Sequence, residues 1–408
     1  MIIRSRLVVP MVGEPIENGA VSIAGHQIAD VGRFEEIRAR HEGEVLDLGE
    51  QILLPGLINA HCHLDYTMLR GKIPAQQSFS GWISAINAHK AALQPEDYLA
   101  AIADGLAEAQ DFGTTTVVNL EAFPELLPRT GRTQLRTWWC AEMIDIRQPV
   151  SVRAVTEPLR AWFQSHPERL GGIGLAPHAP YTASTALYSE ASALARKYDL
   201  LLTTHLAESQ EEMQMFRDAI GPAFAFLKSL GRPMDDCGRE TPLSFLMRSQ
   251  ELDERWIVAH LNELTESDFS LLARGQKFHI AHCPRSHTFF GHAPFELRKL
   301  RRLGFNICLG TDSLASNSSL SLFAEMRELM RKEPSISSRE VLMMTTENAA
   351  RAIGRGGSLG SISPGFQADL IAIPSTEARE DTFDTIVAFE GRGPWMMVNG
   401  ELLSGRWR

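Results

Sequence analysis

Residues 54–65 run Leu54-Pro55-Gly56-Leu57-Ile58-Asn59-Ala60-His61-Cys62-His63-Leu64-Asp65, an apolar stretch of strand type that stops in two histidines spaced i and i+2. Alternate side chains of an extended chain share a face, so His61 and His63 project together. Two imidazoles presented side by side at a strand end can hold one metal ion between them. The plainer alternative is a buried strand with two incidental polar residues, and what lies downstream separates the two.

Downstream, strand and helix patterns alternate. Candidate strands are Ile52–His63, Thr114–Leu120, Gln134–Met143, Gly172–His178, Leu200–His205, Trp256–His260, Phe278–Cys283 and Asn306–Thr311. Between them lie amphipathic segments, among them Pro95–Phe112, Ser184–Tyr198, Glu266–Arg274, Pro294–Leu303 and Ser319–Lys332. Eight strands separated by helices fit a closed parallel (β/α)8 barrel of the TIM type better than an open doubly wound sheet. No Gly-x-Gly-x-x-Gly follows an early strand, which leaves a dinucleotide site without support. His61, His63, His178, His205, His260, His282 and Asp312 all fall at or just past the C-terminal ends of candidate strands. In a barrel those ends converge on one mouth, where such folds keep their chemistry.

The two ends of the chain are written differently. Ile2-Ile3, Leu7-Val8-Val9 and Ala20-Val21-Ser22-Ile23 are short β-type runs broken at glycines, with Phe34–His41 as a short helix. Ala368–Ile373 and Trp395–Val398 return to that style, the latter entering an Asn399-Gly400 hairpin turn. One small β-sandwich assembled from both termini is expected, dividing the chain into 1–53, a barrel over 54–356, and 357–408.

A net charge of −10 over 408 residues argues against a general nucleic-acid or membrane-surface binder. No apolar run approaches the roughly 18–20 residues of a membrane span. Cys62, Cys140, Cys237, Cys283 and Cys308 are odd in number and lack CxxC spacing, which suits reduced thiols in a cytoplasm. A small-molecule substrate is the expected partner.

Thr204-His205-Leu206-Ala207-Glu208 supplies a third imidazole and a carboxylate just beyond it. Glu208 is a candidate proton shuttle, or else simply the start of the following helix. Asp312, in Cys308-Leu309-Gly310-Thr311-Asp312-Ser313, is a fourth ligand candidate, or a turn cap. Three histidines and one aspartate make a plausible zinc ligand set, and iron is compatible on ligand type. Such an ion lowers the pKa of bound water from ~15.7 towards ~7. His260 is placed to orient the attacked centre, or is a core histidine. His178 and Arg285 lie on proline-punctuated strand exits suited to holding substrate. Arg285 matches a carboxylate bidentately or is a surface arginine. Trp82 would stack on a planar ring or pack its own helix.

The segments Leu54–His63, His205-Leu206-Ala207-Glu208, Val258-Ala259-His260 and Leu309–Ser313 resemble the amidohydrolase superfamily. The likeness is to the branch holding chlorotriazine hydrolases and adenosine-type and methylthioadenosine/S-adenosylhomocysteine deaminases. It extends over nearly the whole chain, including Gly360–Leu370. The resemblance implies one metal ion held by His61, His63, His205 and Asp312, with Glu208 and His260 as the acid/base pair and His178 touching substrate; Asp312 is also placed to accept the water's proton while touching the metal. Homodimers are common in that branch. The fourth strand ends in Ala176-Pro177-His178 without the lysine of binuclear members. Glu208 favours deamination over chloride displacement, and Ser80-Gly81 stands where ribose-binding relatives carry an acid. Cys283-Pro284-Arg285-Ser286 is similar to aminodeoxyfutalosine deaminases of menaquinone biosynthesis, whose benzoate would suit Arg285; His287 stands where many relatives have Asn. The expected activity is therefore hydrolytic deamination of a 6-aminopurine nucleoside, foremost aminodeoxyfutalosine. Deamination of adenosine, methylthioadenosine or S-adenosylhomocysteine, an s-triazine or pyrimidine hydrolase, and a non-catalytic binding barrel are the alternatives.

Overall fold

The computed structural model of the chain describes residues 1–74, 76–250, 252–375 and 381–403. Residues 404–408 of the expected C-terminal piece, and 376–380 within it, lie outside the described residues.

The middle of the chain is a (β/α)8 barrel. Its strands are Leu57–His63, Thr114–Glu121, Arg136–Met143, Gly171–Pro177, Leu201–Leu206, Trp256–His260, His279–His282 and an eighth in two pieces, Asn306–Leu309 and Asp312–Ser313. All pair in parallel and in sequence order. Asn306–Leu309 pairs with the seventh strand, and Asp312–Ser313 pairs with the first. The eighth strand was expected in one piece over 306–311. It divides at Gly310-Thr311, where the Gly310 amide donates to the His282 carbonyl (2.9 Å) and the Thr311 amide to that of His61 (3.0 Å). A Cβ on Gly310 would fall 2.6 Å from the His61 carbonyl oxygen, so only glycine lets the two strands approach here.

The strands are buried over most of their length, as parallel strands covered on both faces must be. A large core joins them to the outer helices through Trp139, Trp256, Phe278 and Phe323. Serines and threonines start several of these helices. Ser184 accepts from the Leu187 amide and Ser209 from that of Glu212, while Thr265 with Asp268 forms a reciprocal cap. At the end of the barrel away from the histidines, the helix Glu347–Ala352 packs under the first and eighth strands. There the Asn348 side chain donates to the Ile307 carbonyl (2.9 Å).

Residues 52–63, expected as one strand, are two. Gln51–Pro55 belongs to the terminal sheet, between Ile2–Val8 and Leu370–Pro374, and the barrel strand starts at Leu57. Gly56 is the joint, and a Cβ there would sit 2.2 Å from the Thr115 side chain. The termini make one continuous eight-stranded mixed sheet. The sheet rolls over on itself. Gln27 bridges to Gln367, and Ile28, Val21, Leu53, Leu370 and Trp395 share one core. Roll and barrel are tied by Arg136, whose guanidinium donates to Asp369 (2.5 Å) and Asn399 (2.8 Å).

Candidate active site

Every ligand candidate emerges at the mouth. His61 and His63 end the first strand, His205 the fifth and His260 the sixth, while Asp312 starts the second piece of the eighth. One coordinating atom each from His61, His63 and His205 lie within 4.8 Å of one another, and so do those of His61, His260 and Asp312. The Nε2 atoms of His63 and His205 are 3.2 Å apart. Asp312 Oδ1 is 3.7 Å from Nε2 of both His61 and His63.

Both ring nitrogens of His61, and Nε2 of His260, are buried without a hydrogen-bond partner. Buried polar atoms are rarely left so, and a cation set between Asp312 and His61 Nε2 accounts for that atom, since the two nitrogens of one ring cannot face the same ion. The supporting contacts fit the same purpose. His205 Nδ1–H donates to the His178 carbonyl (2.9 Å), which frees Nε2 as a ligand. Asp312 Oδ2 accepts from the hydroxyls of Ser286 (2.6 Å) and Ser316 (3.1 Å), which leaves Oδ1 to the histidines. Burial holds His205 and His178 down at about 3, and His63 and His260 well below the usual imidazole value. Burial thus favours the neutral form of the ring, the form in which His63 and His205 could ligate a metal. Burial pushes the Asp312 carboxyl up, but contact with His61 and the neighbouring rings of His260 and His63 outweighs it and holds the group well below the carboxylate range. Residues and geometry fit one divalent ion held by His61, His63, His205 and Asp312.

Glu208 lies just past the fifth strand, with Oε1 3.6 Å from His260 Nε2. Burial, then the nearby Asp312 and Glu212 carboxylates, push its carboxyl well above the usual range. Ala207, His260, Leu261 and Asp312 all adopt positive φ (49°, 72°, 51° and 57°). Strained backbone of this kind gathers where surroundings hold a functional constellation in place.

A cavity of about 760 Å³ opens onto His63, His178, His205, Glu208, His260 and Asp312. Trp82 is in its wall, beside Phe79 (ring centroids 5.9 Å) and Phe290 (4.9 Å). His178 also faces it, with Nδ1 2.6 Å from the Thr182 hydroxyl. Arg285 does not. Residues 284–290 form a helix instead of an open loop, and the Arg285 guanidinium turns outward to Ser318 and to Ser319 Oγ (2.8 Å). Its neighbour Ser286 is the one that reaches the site. His282 stacks on Phe295 (centroids 4.0 Å), packed outside the cavity lining.

Sequence inspection passed over three groups. Glu142, at the end of the third strand, lines the cavity within 4.8 Å of His178 and His205. Its position at a strand end was the available signal. Lys90 also lines the cavity, with Nζ 2.5 Å from the Tyr66 hydroxyl. Glu212, buried, accepts from the amides of Glu208 (2.8 Å) and Ala207 (3.2 Å).

Comparison with known proteins bears on the family and the fold. The chain is 31% identical to the 5-methylthioadenosine/S-adenosylhomocysteine deaminase of Pyrococcus furiosus, covering 99% of this chain and 94% of that one. In fold it matches the Helicobacter pylori aminofutalosine deaminase complexed with methylthio-coformycin (TM-score 0.84, 20% identity, 99% and 100% covered). It also matches a zinc-bound adenosine deaminase from Xanthomonas campestris (TM-score 0.82, 23% identity, 98% and 92% covered). The model of the amidohydrolase family matches residues 52–406. The chain belongs to the amidohydrolase family.

Proposed function

We propose that this chain, a metal-dependent aminohydrolase acting on carbon–nitrogen bonds, deaminates a 6-aminopurine nucleoside. The observation that carries this reading is the Glu208 carboxyl set 3.6 Å from His260, beside four converging ligand groups, at one end of a cavity large enough for a nucleoside. When bound, a divalent ion, zinc foremost, supplies Lewis acidity and acidifies water at the ring carbon bearing the amine. Glu208 carries a proton to the ring nitrogen next to that carbon, and burial, which favours its protonated form, suits it to that task. His260 would steady the oxygen that develops there; Asp312 would take one proton from the water and pass it to the amine, which leaves as ammonia, while the hydroxyl at that carbon returns its proton to Glu208 as the carbonyl forms. His178 and Trp82 would hold the ring, by hydrogen bond and by stacking.

Among such nucleosides we favour aminodeoxyfutalosine. With Arg285 turned away, Lys90 and Arg147 on the cavity wall are the cations that would meet its benzoate. The similarity to a methylthioadenosine/S-adenosylhomocysteine deaminase supports the wider nucleoside class. Ammonia release from metal-loaded protein tests this. The panel is aminodeoxyfutalosine, adenosine, methylthioadenosine, S-adenosylhomocysteine, guanine and a chlorotriazine. The expected result is fastest turnover of aminodeoxyfutalosine. Faster adenosine turnover would reject that substrate and keep the class. Turnover of the triazine alone would reject the class.

A further inference from the structure

Glu208 stands on a two-residue turn gripped from outside. The Glu212 carboxylate accepts the amides of Ala207 and Glu208. The Ala207 carbonyl accepts from the amides of Asn262 and Glu263, both at 2.9 Å. The Glu208 carbonyl accepts from the Asn262 side-chain amide at 3.0 Å. Nδ2 of Asn262 is committed to that carbonyl, so its Oδ1 faces His287 Nδ1 at 3.1 Å and can only accept from it, while the same ring also meets the Ala293 backbone. Asn262 also closes the turn whose residues His260 and Leu261 are left-handed, and so it ties the exit carrying Glu208 to the exit carrying His260. Asn262 is buried, and neither it nor His287 lines the cavity.

We propose that Asn262 and His287 form a positioning relay that sets the Glu208 carboxyl against His260, governing turnover without touching substrate. His287 fixes which way the Asn262 amide faces. With the amide reversed, two carbonyl oxygens would meet and the turn would lose its restraint. The proposal rests on Glu208 being the group that moves the proton.

The test uses full-length, metal-loaded protein carrying Asn262→Ala, His287→Ala, His287→Gln, or both alanines together. Misplacing a catalytic group slightly costs up to about 100-fold, so kcat should fall about 10- to 100-fold in Asn262→Ala and less in His287→Ala. KM and metal content should stay near wild type. His287→Gln, which still offers an N–H, should recover most of the rate, and the double variant should be no slower than Asn262→Ala alone. Wild-type kcat in His287→Ala, a loss in KM alone, multiplying losses in the double variant, or a loss that tracks metal content would each overturn the relay. If Asn262→Ala fails to fold, the two His287 variants decide. Nitrogen-15 histidine spectra test the relay without substrate. His287 should show a protonated Nδ1 in the wild type, and a bare Nδ1 there refutes the relay. Protein that releases no ammonia from any nucleoside, yet shows that Nδ1–H, counts against the assigned activity and not against the hydrogen-bonded network.

Discussion

Glu208→Gln keeps the size and polarity of the side chain and removes its capacity to carry a proton. Turnover should fall by about 10²–10⁴-fold with metal content unchanged. Full activity in that variant, measured as ammonia release, would remove Glu208 from the mechanism. His61→Ala acts on the other half of the site, because the Nε2 of that ring is buried 3.7 Å from Asp312 Oδ1 without a hydrogen-bond partner. Metal content by elemental analysis should drop well below one ion per chain, and an occupied site in this variant would refute the ligand assignment. His61, His63, His205 and Asp312 were legible in the sequence because each ends or follows an apolar run, where a polar side chain has no structural excuse. Glu142 was not, since one acid within Trp138-Trp139-Cys140-Ala141-Glu142-Met143 resembles an ordinary strand residue. Glu212 is disguised as a helix first-turn acid. Arg285 misled because its direction depends on a helix that proline at its first position starts at once.

At the scale of elements, the eighth strand both closes the barrel and delivers Asp312. Gly310→Ala would force a Cβ against the His61 backbone, so its effect should reach the metal. Affinity for zinc should weaken about 10- to 100-fold, as when supports of ligands are disturbed. Unchanged affinity in a competition titration would show that the joint tolerates the side chain. Gly56→Val meets Thr115 and should cost about 1–3 kcal/mol in urea unfolding with the site intact. The strand–helix alternation was readable because period-2 and period-3.6 patterns survive in the residues. The breaks at Gly56 and Gly310 were not, since each is set by a neighbouring strand distant in sequence. The rolled single sheet was hidden for the same reason. Short β runs reveal that they pair, but not with which partner.

In the whole molecule, the half-buried Arg136 and the buried Asp369 join the barrel to the terminal roll. Arg136→Met leaves Asp369 without its countercharge and should destabilise the protein by about 3–5 kcal/mol. Urea unfolding measures it, and a change below about 1 kcal/mol would mean that the Asn399 backbone amide, which donates to Asp369 at 2.7 Å, suffices to hold the carboxylate. The interleaving of the two ends also bears on how the protein is made. Gln51–Pro55 needs Leu370–Pro374 along one edge, and that partner is translated more than 300 residues later. Throughout synthesis of the barrel, the nascent N-terminal strands carry an open hydrogen-bonding edge of apolar residues, the kind of surface that recruits stray strands. The ribosome must all but finish its work before this edge is covered, so an interrupted translation product would be a sticky fragment and not a slower enzyme.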